Sequence, residues 1–369
     1  MANTFSFVGK LVPIKDTESF KGYTETDYSS GWKKQRLVFN VVAGDNRHLV
    51  EINAGRWKDD AKNSTIYTMS RATEGKKSEK IQIPWDKRND PETIEKVAGY
   101  RVFTIDTDTY AHREELKEAG DTAALEKSNE KRRHFLASTD FCDFAKKVVY
   151  SDKIKDWTFR VNGNIVYRYS ENTGKYYQTY EVNKMYRVDE SVEPTADVNI
   201  EFFFAEGFMD KDGVEDAGKA VMNGFTQFYD PNTQGNWFLP IEIVMRDVEN
   251  IDLTEEILSE FMNNEICKAI FSCKAINGAQ KRSVSINDLD EKTQKAIKAG
   301  LMDEAQAIRN AGGQVYGDKI QEIRFDKIVK HSEATVYTLE NMLEKPHKKE
   351  EPVDIFEEEV NIEDEESEI

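Results

Sequence analysis

Residues 157–188 constrain the fold most strongly, because apolar and polar side chains alternate over two long stretches of this segment. The first stretch contains Trp157, Phe159 and Val161 and continues into the run IVYRY, and the second extends from Lys175 to Val188. Alternation with a period of two is typical of half-buried β-strands, and the intervening ENTG is rich in turn-forming residues. The segment therefore predicts a long β-hairpin.

Alternation also divides the side chains of this hairpin between two faces. On the second strand, one face is expected to hold Tyr176, Tyr180, Val182 and Tyr186, and the other Tyr177, Met185 and Arg187. Aromatic residues at alternate strand positions usually belong to a core. The aromatic residues of the hairpin that we expect to be buried are Trp157, Phe159, Tyr180 and Tyr186.

The same order of elements recurs in both halves of the chain: a strand, a long loop, further strands, a helix and two closing strands. In the first half, strands are predicted at 5–12, 36–43, 48–53 and in the hairpin, with a loop at 15–34 and a helix within 112–149. In the second half, strands are predicted at 198–205, 236–246, 268–276 and 315–329, with a loop at 207–235, a helix at 253–264 and helical sequence at 288–311.

This order is that of the OB-fold, a small, partly open β-barrel that binds oligonucleotides, although other small barrels share much of it. We predict a mainly β fold with inserted helices (α+β), made of two OB-fold-like barrels in tandem and a disordered acidic C-terminal tail. The predicted boundaries are 1–188 for a first domain with an insertion at 54–108 and a helix at 112–149, 189–197 for a linker, 198–340 for a second domain and 341–369 for the tail.

The net charge of −18 taken as a whole argues against a nucleic-acid-binding protein, but the charge is unevenly distributed. Residues 1–188 contain 33 basic and 28 acidic side chains, residues 189–349 have a net charge of −12, and residues 350–369 contain 11 acidic side chains and no basic one. Such asymmetry indicates that the parts of the chain have different partners. The first half therefore remains a candidate for binding a polyanion.

Motifs of catalysis are absent from the sequence, which contains no GxxxxGK[ST], HExxH, CxxC or GxSxG. Asp106 and Asp108 could hold a metal ion as the carboxylates of a nuclease do, but we expect a solvated strand end there. Cys142 lies more than two helical turns from His134, so we expect a packed core cysteine. We predict no enzymatic activity, no cofactor and no metal site.

The start of the chain lacks the basic and apolar regions of a signal peptide, and no run of 18 apolar residues occurs. Three scattered cysteines fit a reducing compartment without a disulfide framework. We therefore expect a cytoplasmic protein without a membrane segment.

Aromatic and basic residues are mixed locally in the first half, which holds 4 of the 5 tryptophans and 12 of the 15 tyrosines. Single-stranded nucleic acids are bound by this combination, because flat rings stack on unpaired bases and cations contact the phosphates. Trp32 and Tyr28, in the predicted loop beside Lys33 and Lys34, are the leading candidates. The full candidate set is Tyr23, Tyr28, Trp32, Lys33, Lys34, Arg36, Arg56, Trp57, Trp85, Arg88, Arg160, Arg168, Tyr169 and Tyr177.

The opening ANTFSFVGKLVPIKDTESFKGY…GWKKQRLVFNVVAG and the tail DIFEEEVNIEDEESEI resemble bacteriophage single-stranded DNA-binding proteins of the OB-fold type with an acidic C-terminal tail. The resemblance implies a protein that coats single-stranded DNA during phage DNA replication, recombination and repair in the host cytoplasm. It also implies that the tail recruits phage replication and recombination proteins and competes with DNA. The residues that it suggests for partner binding are Ile355, Phe356, Glu357, Glu358 and Glu359.

Two features depart from the bacterial form of such proteins: the chain ends in ESEI, and one chain contains both predicted barrels. The alternatives are a phage structural or adaptor protein whose barrels serve assembly and, third, a metal-dependent nuclease. The oligomeric state and the preference for DNA or RNA stay open.

Overall fold

The computed structural model describes residues 3–170, 175–230, 233–262, 265–283, 286, 289–310, 314–332 and 337–344. The fold is mainly β with inserted helices, as predicted, and one continuous 14-stranded sheet extends through both halves of the chain. Most of the predicted tail, including Ile355, Phe356 and Glu357–Glu359, lies outside the described residues. No helix of the described ranges is long and apolar enough to span a membrane.

The first half contains ten strands and four α-helices. In chain order these are β1 (Thr4–Pro13), β2 (Tyr23–Asp27), β3 (Trp32–Ala43), β4 (Asn46–Trp57), β5 (Thr65–Met69), β6 (Lys80–Pro84), α1 (Pro91–Glu95), β7 (Phe103–Asp106), α2 (Tyr110–Glu118), α3 (Thr122–Asn129), β8 (Arg132–Phe135), α4 (Ser138–Val149), β9 (Thr158–Ser170) and β10 (Lys175–Val188). Short 3-10 helices lie at Asp60–Asn63, Trp85–Lys87, Gly99–Arg101 and Asp152–Ile154.

Five strands of this half close a ring of hydrogen-bonded pairs. β1 pairs with β3, β3 with β4, β4 with β10, β10 with β9, and β9 returns to β1. The pair β4–β10 is parallel, whereas the other four pairs are antiparallel. Buried side chains of these strands, among them Phe7, Phe39 and Phe159, fill the inside together with Phe141 and Cys142 of α4. Cys142 is thus a core residue, as predicted.

β1 changes its neighbour halfway along its length. Thr4–Val8 pairs with β11 of the second half (Thr195–Phe204), whereas Lys10–Pro13 pairs with β3. Gly9 lies at the change, where a Cβ atom would be 2.2 Å from the carbonyl oxygen of Val42. Glycine is needed here because the two backbones approach too closely for a side chain.

The second half contains the remaining elements. They are β11 (Thr195–Phe204), β12 (Met209–Asp210), α5 (Val214–Ala217), β13 (Ala220–Asp230), β14 (Gly235–Met245), a 3-10 helix (Val248–Asn250), α6 (Ile251–Glu260), β15 (Cys267–Ser283), α7 (Glu291–Lys298), α8 (Glu304–Asn310), β16 (Gln314–Ser332) and α9 (Leu339–Leu343).

A second ring of five strands repeats the order of the first. β11 pairs with β13, β13 with β14, β14 with β16, β16 with β15, and β15 returns to β11. Here too the pair of the third and the fifth strand, β14–β16, is parallel. The two rings are joined by β1–β11 and by Asn277, which donates hydrogen bonds to Asn46 Oδ1 (3.0 Å) and to the carbonyl oxygen of Arg47 (2.8 Å).

Several predicted boundaries are wrong. Residues 195–197 of the predicted linker already belong to β11, and the first residues of the predicted tail lie in α9, where Met342 is buried. The predicted loop 15–34 contains β2 and the start of β3, and the predicted loop 207–235 contains β12, α5 and β13. The region 112–149 is not one helix, because β8 interrupts it.

The predicted faces of β10 are correct only in its first part. The pairing with β9 shifts between Val182 and Lys184, so Asn183 is an extra residue in the strand. Val182 and Met185 are both buried as a result, and Tyr186 lies on the opposite face from them. The prediction that Tyr186 is a core residue is therefore wrong, whereas Phe159 is fully buried and Trp157 and Tyr180 pack against the core, as expected.

Candidate nucleic-acid interface

The outer face of β3 and β4 brings several predicted residues together. Leu37, Phe39 and Val41 point into the first ring and are fully buried. Side chains alternate along a strand, so Trp32, Lys34 and Arg36 point to the outside. The cross-strand partners of these three residues on β4 are Trp57, Gly55 and Asn53. Trp32, Lys33 and Lys34 therefore lie on a strand and not in the predicted loop.

The two tryptophans form the end of this face. The ring centroids of Trp32 and Trp57 are 5.2 Å apart with an interplanar angle of 78°, a favourable edge-to-face contact. A Cβ atom at Gly55 would be 2.3 Å from Cζ2 of Trp32, so the indole rests directly on the Gly55 backbone. Both indoles are half-buried and thus held in place.

Next to the tryptophans, a hydrogen-bonded network holds two arginine side chains. Arg36 Nε donates to the buried carboxylate of Glu51 (2.8 Å), and Arg168 donates to Glu181 (2.8 Å). Asn53 Nδ2 bridges the two carboxylates, at 2.7 Å from Glu51 and 3.1 Å from Glu181. Two guanidinium groups and two carboxylates balance each other, so the network positions the arginines without adding net charge.

Net positive charge on this face comes from Lys34. Within the described ranges, its side chain has no carboxylate oxygen within 4 Å, whereas Lys33 forms an ion pair with Glu25 (2.5 Å). The candidate Arg56 pairs with Lys33 across the two strands, and alternation puts both side chains on the opposite side of the sheet from Trp32 and Lys34. Tyr177, 47% exposed, lies opposite Arg168 in the β9–β10 pair, and Tyr28 is equally exposed in the turn before Trp32. The side chain of Tyr169 is outside the described part of the structure.

We call this surface the β3–β4 face. It comprises Tyr28, Trp32, Lys34, Arg36, Asn53, Trp57, Arg168 and Tyr177, together with the counter-ions Glu51 and Glu181. Glu51, Asn53 and Glu181 are not among the sequence candidates. The alternation that puts Leu37 and Ile52 inside could have placed Glu51 and Asn53 on this face, but nothing in the sequence pairs them with β10.

Tyr23 is a structural residue. Its hydroxyl donates to Glu25 (2.5 Å) and accepts from Gln35 Nε2 (3.1 Å), and Lys146 Nζ lies 3.5 Å from its ring centroid. Burial, followed by the hydrogen bond to Glu25, raises the pKa of Tyr23, and the contacts from Lys33 and Tyr23 lower the pKa of Glu25 to about 2. Tyr23 and Lys33 therefore stabilise the β2–β3 hairpin.

Three further candidates lie elsewhere. The guanidinium carbon of Arg88 is 4.4 Å from the ring centroid of Trp85, and Arg88 Nε is 2.8 Å from Asp140 of α4, so this pair attaches the insertion to α4. Arg160 is exposed on β9, eight residues from Arg168, which corresponds to about 26 Å along a strand. The structure does not bring Trp85, Arg88 or Arg160 to the β3–β4 face.

Asp106 and Asp108 are not the solvated strand end that the sequence suggested, because both carboxylates are buried. Arg113 binds both oxygens of Asp106 (2.7 and 2.8 Å), and Ser128 and Lys131 donate to Asp108 (2.7 and 2.9 Å). Burial favours a raised pKa at Asp106, but hydrogen bonds from Arg113 and Arg132 outweigh it and lower the pKa. In the described ranges, no three His, Cys, Asp or Glu side chains are placed to hold a metal ion.

No family model matches the sequence, and no curated protein matches it either. Two solved structures similar to this chain are the wild-type single-stranded DNA-binding protein from Thermus aquaticus and a deletion mutant of that protein. Each aligns with a TM-score of 0.30 and 9% identity over 74% of this chain, covering 85% of the wild-type and 86% of the mutant chain. A likeness this weak does not bear on function.

Proposed function

We propose that this chain binds single-stranded DNA on the β3–β4 face with little sequence preference and coats the strand. The observation that carries the proposal is the Trp32–Trp57 pair at one end of an open sheet face whose neighbouring positions hold Lys34 and Arg36. Stacking on an aromatic side chain contributes about 1–3 kcal/mol per base, and lysine and arginine contact the phosphates. In this proposal, bases of the DNA stack on the fixed indole rings of Trp32 and Trp57, and the phosphates contact the neighbouring cations.

The strand order supports the proposal. Five strands joined in the order first, second, third, fifth, fourth and back to the first are those of an OB-fold-like barrel, and we assign one to each ring. OB-folds bind oligonucleotides on the face of their second and third strands and with the loops after the first and fourth strands. In the first ring these are β3, β4 and the turn with Tyr28, and Tyr177 lies near the start of the fifth strand, β10.

A fluorescence titration tests the proposal. Oligo-dT should quench the tryptophan fluorescence of the full chain, and log K should fall linearly with log salt, by about 0.7 per neutralised phosphate. Trp32→Ala should weaken binding by about 1–3 kcal/mol. Lys34→Gln should lower the salt slope by about 0.7, whereas the matched exposed lysine variant Lys153→Gln should not.

Absence of quenching and of a gel shift at low salt would contradict the proposal. A defined large oligomer that ignores DNA would instead favour the phage structural or adaptor protein. Cleavage of the oligonucleotide that depends on a divalent metal would favour the nuclease; otherwise we expect no enzymatic activity. An oligo-U titration in parallel measures the preference between DNA and RNA.

The resemblance to phage proteins extends the proposal to DNA replication and recombination in a host cytoplasm. In this proposal the acidic tail, with Ile355 and Phe356 among its carboxylates, recruits partner proteins of the same phage. Acidic residues with a few hydrophobic anchors suit docking on a basic, partly apolar surface. Ile355→Ser with Phe356→Ser should abolish co-purification of phage partners from infected cells while leaving oligo-dT affinity unchanged.

A further inference from the structure

A cationic cleft lies between residues 71–102 of the insertion and the antiparallel β7–β8 pair. Its volume is about 940 Å³, and basic side chains from three separate segments line it. These are Arg71 of the insertion, Arg132, Arg133 and His134 of β8, and Lys184 of β10. Among the sequence candidates for DNA binding, none lines this cleft.

The cleft lies on the same side of the sheet as the β3–β4 face. Glu181 of the β3–β4 face and Lys184 of the cleft both point away from the core, because the extra residue Asn183 between them shifts the alternation. β4 pairs with β10 at Tyr180 and Glu181, and β7 pairs with β10 from Lys184 to Tyr186. Three residues of strand span about 10 Å, so the two surfaces adjoin.

The cleft carries an excess of positive charge. Among the residues that the structure describes, Arg71 and Lys184 have no carboxylate oxygen within 4 Å, and Glu95 is the acidic side chain in the lining. Arg132 is paired with Asp106, and the guanidinium carbon of Arg133 lies 5.2 Å from the ring centroid of Phe144 of α4. Burial and then the charge of Arg132 lower the pKa of His134, which the nearby Lys184 lowers further. Unpaired cations around a concave surface attract phosphate groups.

Tyr186 gives the cleft an aromatic side chain beside these cations. It is half-buried and faces the same side as Lys184, since Met185 between them is fully buried. Proteins bind single-stranded nucleic acids with this combination, because the aromatic ring stacks on a base and the cations contact the phosphates.

We infer that the cleft binds the sugar-phosphate backbone of the same DNA strand after it leaves the β3–β4 face, so that the insertion acts as a second contact site. The inference rests on the proposed function, since it assumes that DNA occupies the first ring. Bound DNA would pass from Glu181 to Lys184 along β10 and then between Arg71 and β8.

A length series of oligo-dT tests this second contact site. Oligomers from about 4 to about 30 nucleotides are titrated against the full chain, because one OB-fold covers about 4–16 nucleotides. The double variant Arg71→Gln, Lys184→Gln should bind the shortest oligomers as the unaltered chain does. For the longest oligomers its salt slope should be smaller by about 1.4, that is, about 0.7 for each lost phosphate contact.

The control Lys153→Gln, Lys298→Gln removes two exposed positive charges outside both surfaces and should leave both slopes unchanged. Equal salt slopes for the cleft variant and the unaltered chain at every length would overturn the inference while leaving the proposed function intact. If the cleft variant lowers the salt slope by the same amount for the shortest and the longest oligomers, the inference is also overturned, because the cleft would then belong to the primary site. If the unaltered chain binds no oligomer, the proposed function itself fails.

Discussion

Gly55 shows how a residue without a side chain can define the shape of the β3–β4 face. The Trp32 indole occupies the space above its backbone, and that contact fixes the edge-to-face geometry with Trp57. Any Cβ atom at position 55 would collide with the indole. The orientation of Trp32 therefore depends on a glycine on the neighbouring strand, which no inspection of the Trp32 sequence context reveals.

Gly55→Ala should displace the Trp32 indole and weaken oligo-dT binding by about 1–3 kcal/mol, the contribution of one stacked base. The measurement is the fluorescence titration, with the unfolding midpoint recorded to show that the fold persists. Gly99→Ala is the matched control, because a Cβ atom there meets nothing within 4 Å. Since Gly99 lines the cationic cleft, both variants are titrated with the shortest oligomers, which do not reach it. Unchanged affinity in Gly55→Ala would show that Trp32 does not stack on DNA.

His48 is a second residue whose chemistry is set by its surroundings. Its ring is 1% exposed, its centroid is 4.5 Å from that of Phe7, and its Nε2 atom has no hydrogen-bond partner in the described part of the chain. Burial lowers the pKa of His48 to about 4. The unfolded chain, with a histidine pKa of about 6.5, therefore binds a proton that the folded chain excludes.

This difference predicts a loss of stability in mild acid. The contribution of His48 is complete above about pH 6.5 and decreases as the pH falls towards about 4, so the free energy of unfolding should drop by about 2 kcal/mol between pH 7 and about pH 5. Urea unfolding at the two pH values measures it. His48→Phe should remove this difference. An equal drop in the variant would assign the pH dependence to other groups.

At the scale of elements, the buried carboxylates explain why a polar segment folds. Asp106 ends β7 and receives hydrogen bonds from Arg113 of α2 and Arg132 of β8. α2 and α3 bury few apolar side chains, so these ion pairs attach them to the sheet. A buried carboxylate without partners would destabilise the fold, so β7, α2 and β8 depend on one another for stability.

Asp106→Asn should destabilise this region by about 3–5 kcal/mol, because it leaves the buried guanidinium of Arg113 without its counter-charge. The pKa of Asp106 is lowered in the folded state, so its contribution is present above the unfolded pKa of about 3.9 and is lost as the pH falls further. Hydrogen exchange of the α2 amides measures the local loss. Glu118→Gln, an exposed change on the same helix, should leave this exchange unaltered; equal exchange in Asp106→Asn would contradict the role of the ion pairs.

The strands that the sequence predicts correctly show a clear alternation of apolar and polar residues. β1, β4 and the β9–β10 hairpin alternate regularly, so their positions follow from the pattern. β8 does not, because its residues Arg132–His134 are all polar and its pairing with β7 comes from the fold. The bulge at Asn183 is likewise invisible in the sequence, although it decides that Lys184 faces the cleft.

Part of the candidate site could also be read from the sequence. Trp32, Lys34, Arg36 and Trp57 are close to basic or aromatic neighbours in the chain, and the structure places all four on one face. The counter-ions Glu51 and Glu181 come from strands 130 residues apart, and the cleft combines three distant segments. Contacts of this kind require the strand pairing to be known.

At the scale of the whole molecule, two rings with the same strand order share one sheet but differ in charge. Residues 1–188 have a net charge of +5, whereas residues 189–349 have −12. β1 belongs to the first ring and pairs with β11 of the second, so the rings are not independent modules. Under the proposed function, the basic half is therefore the one suited to DNA, and the negative charge of the acidic half and the tail should oppose non-specific binding of polyanions.

The tail is the most densely charged segment, with 11 acidic and no basic side chains in residues 350–369. If it competes with DNA for the β3–β4 face, a chain ending at residue 349 should bind oligo-dT more tightly at low salt. The difference should shrink as salt rises, because the Debye length falls from about 10 Å at 0.1 M to about 3 Å at 1 M.

Titrations of the full and the shortened chain at both salt concentrations measure the effect. A third chain, in which glutamine and asparagine replace the tail carboxylates, keeps the length and removes the charge. It should bind like the shortened chain if charge is the cause, and like the full chain if the tail acts by its bulk. Identical affinities of all three chains at low salt would show that the tail does not compete with DNA, and would leave partner recruitment as the role to be tested.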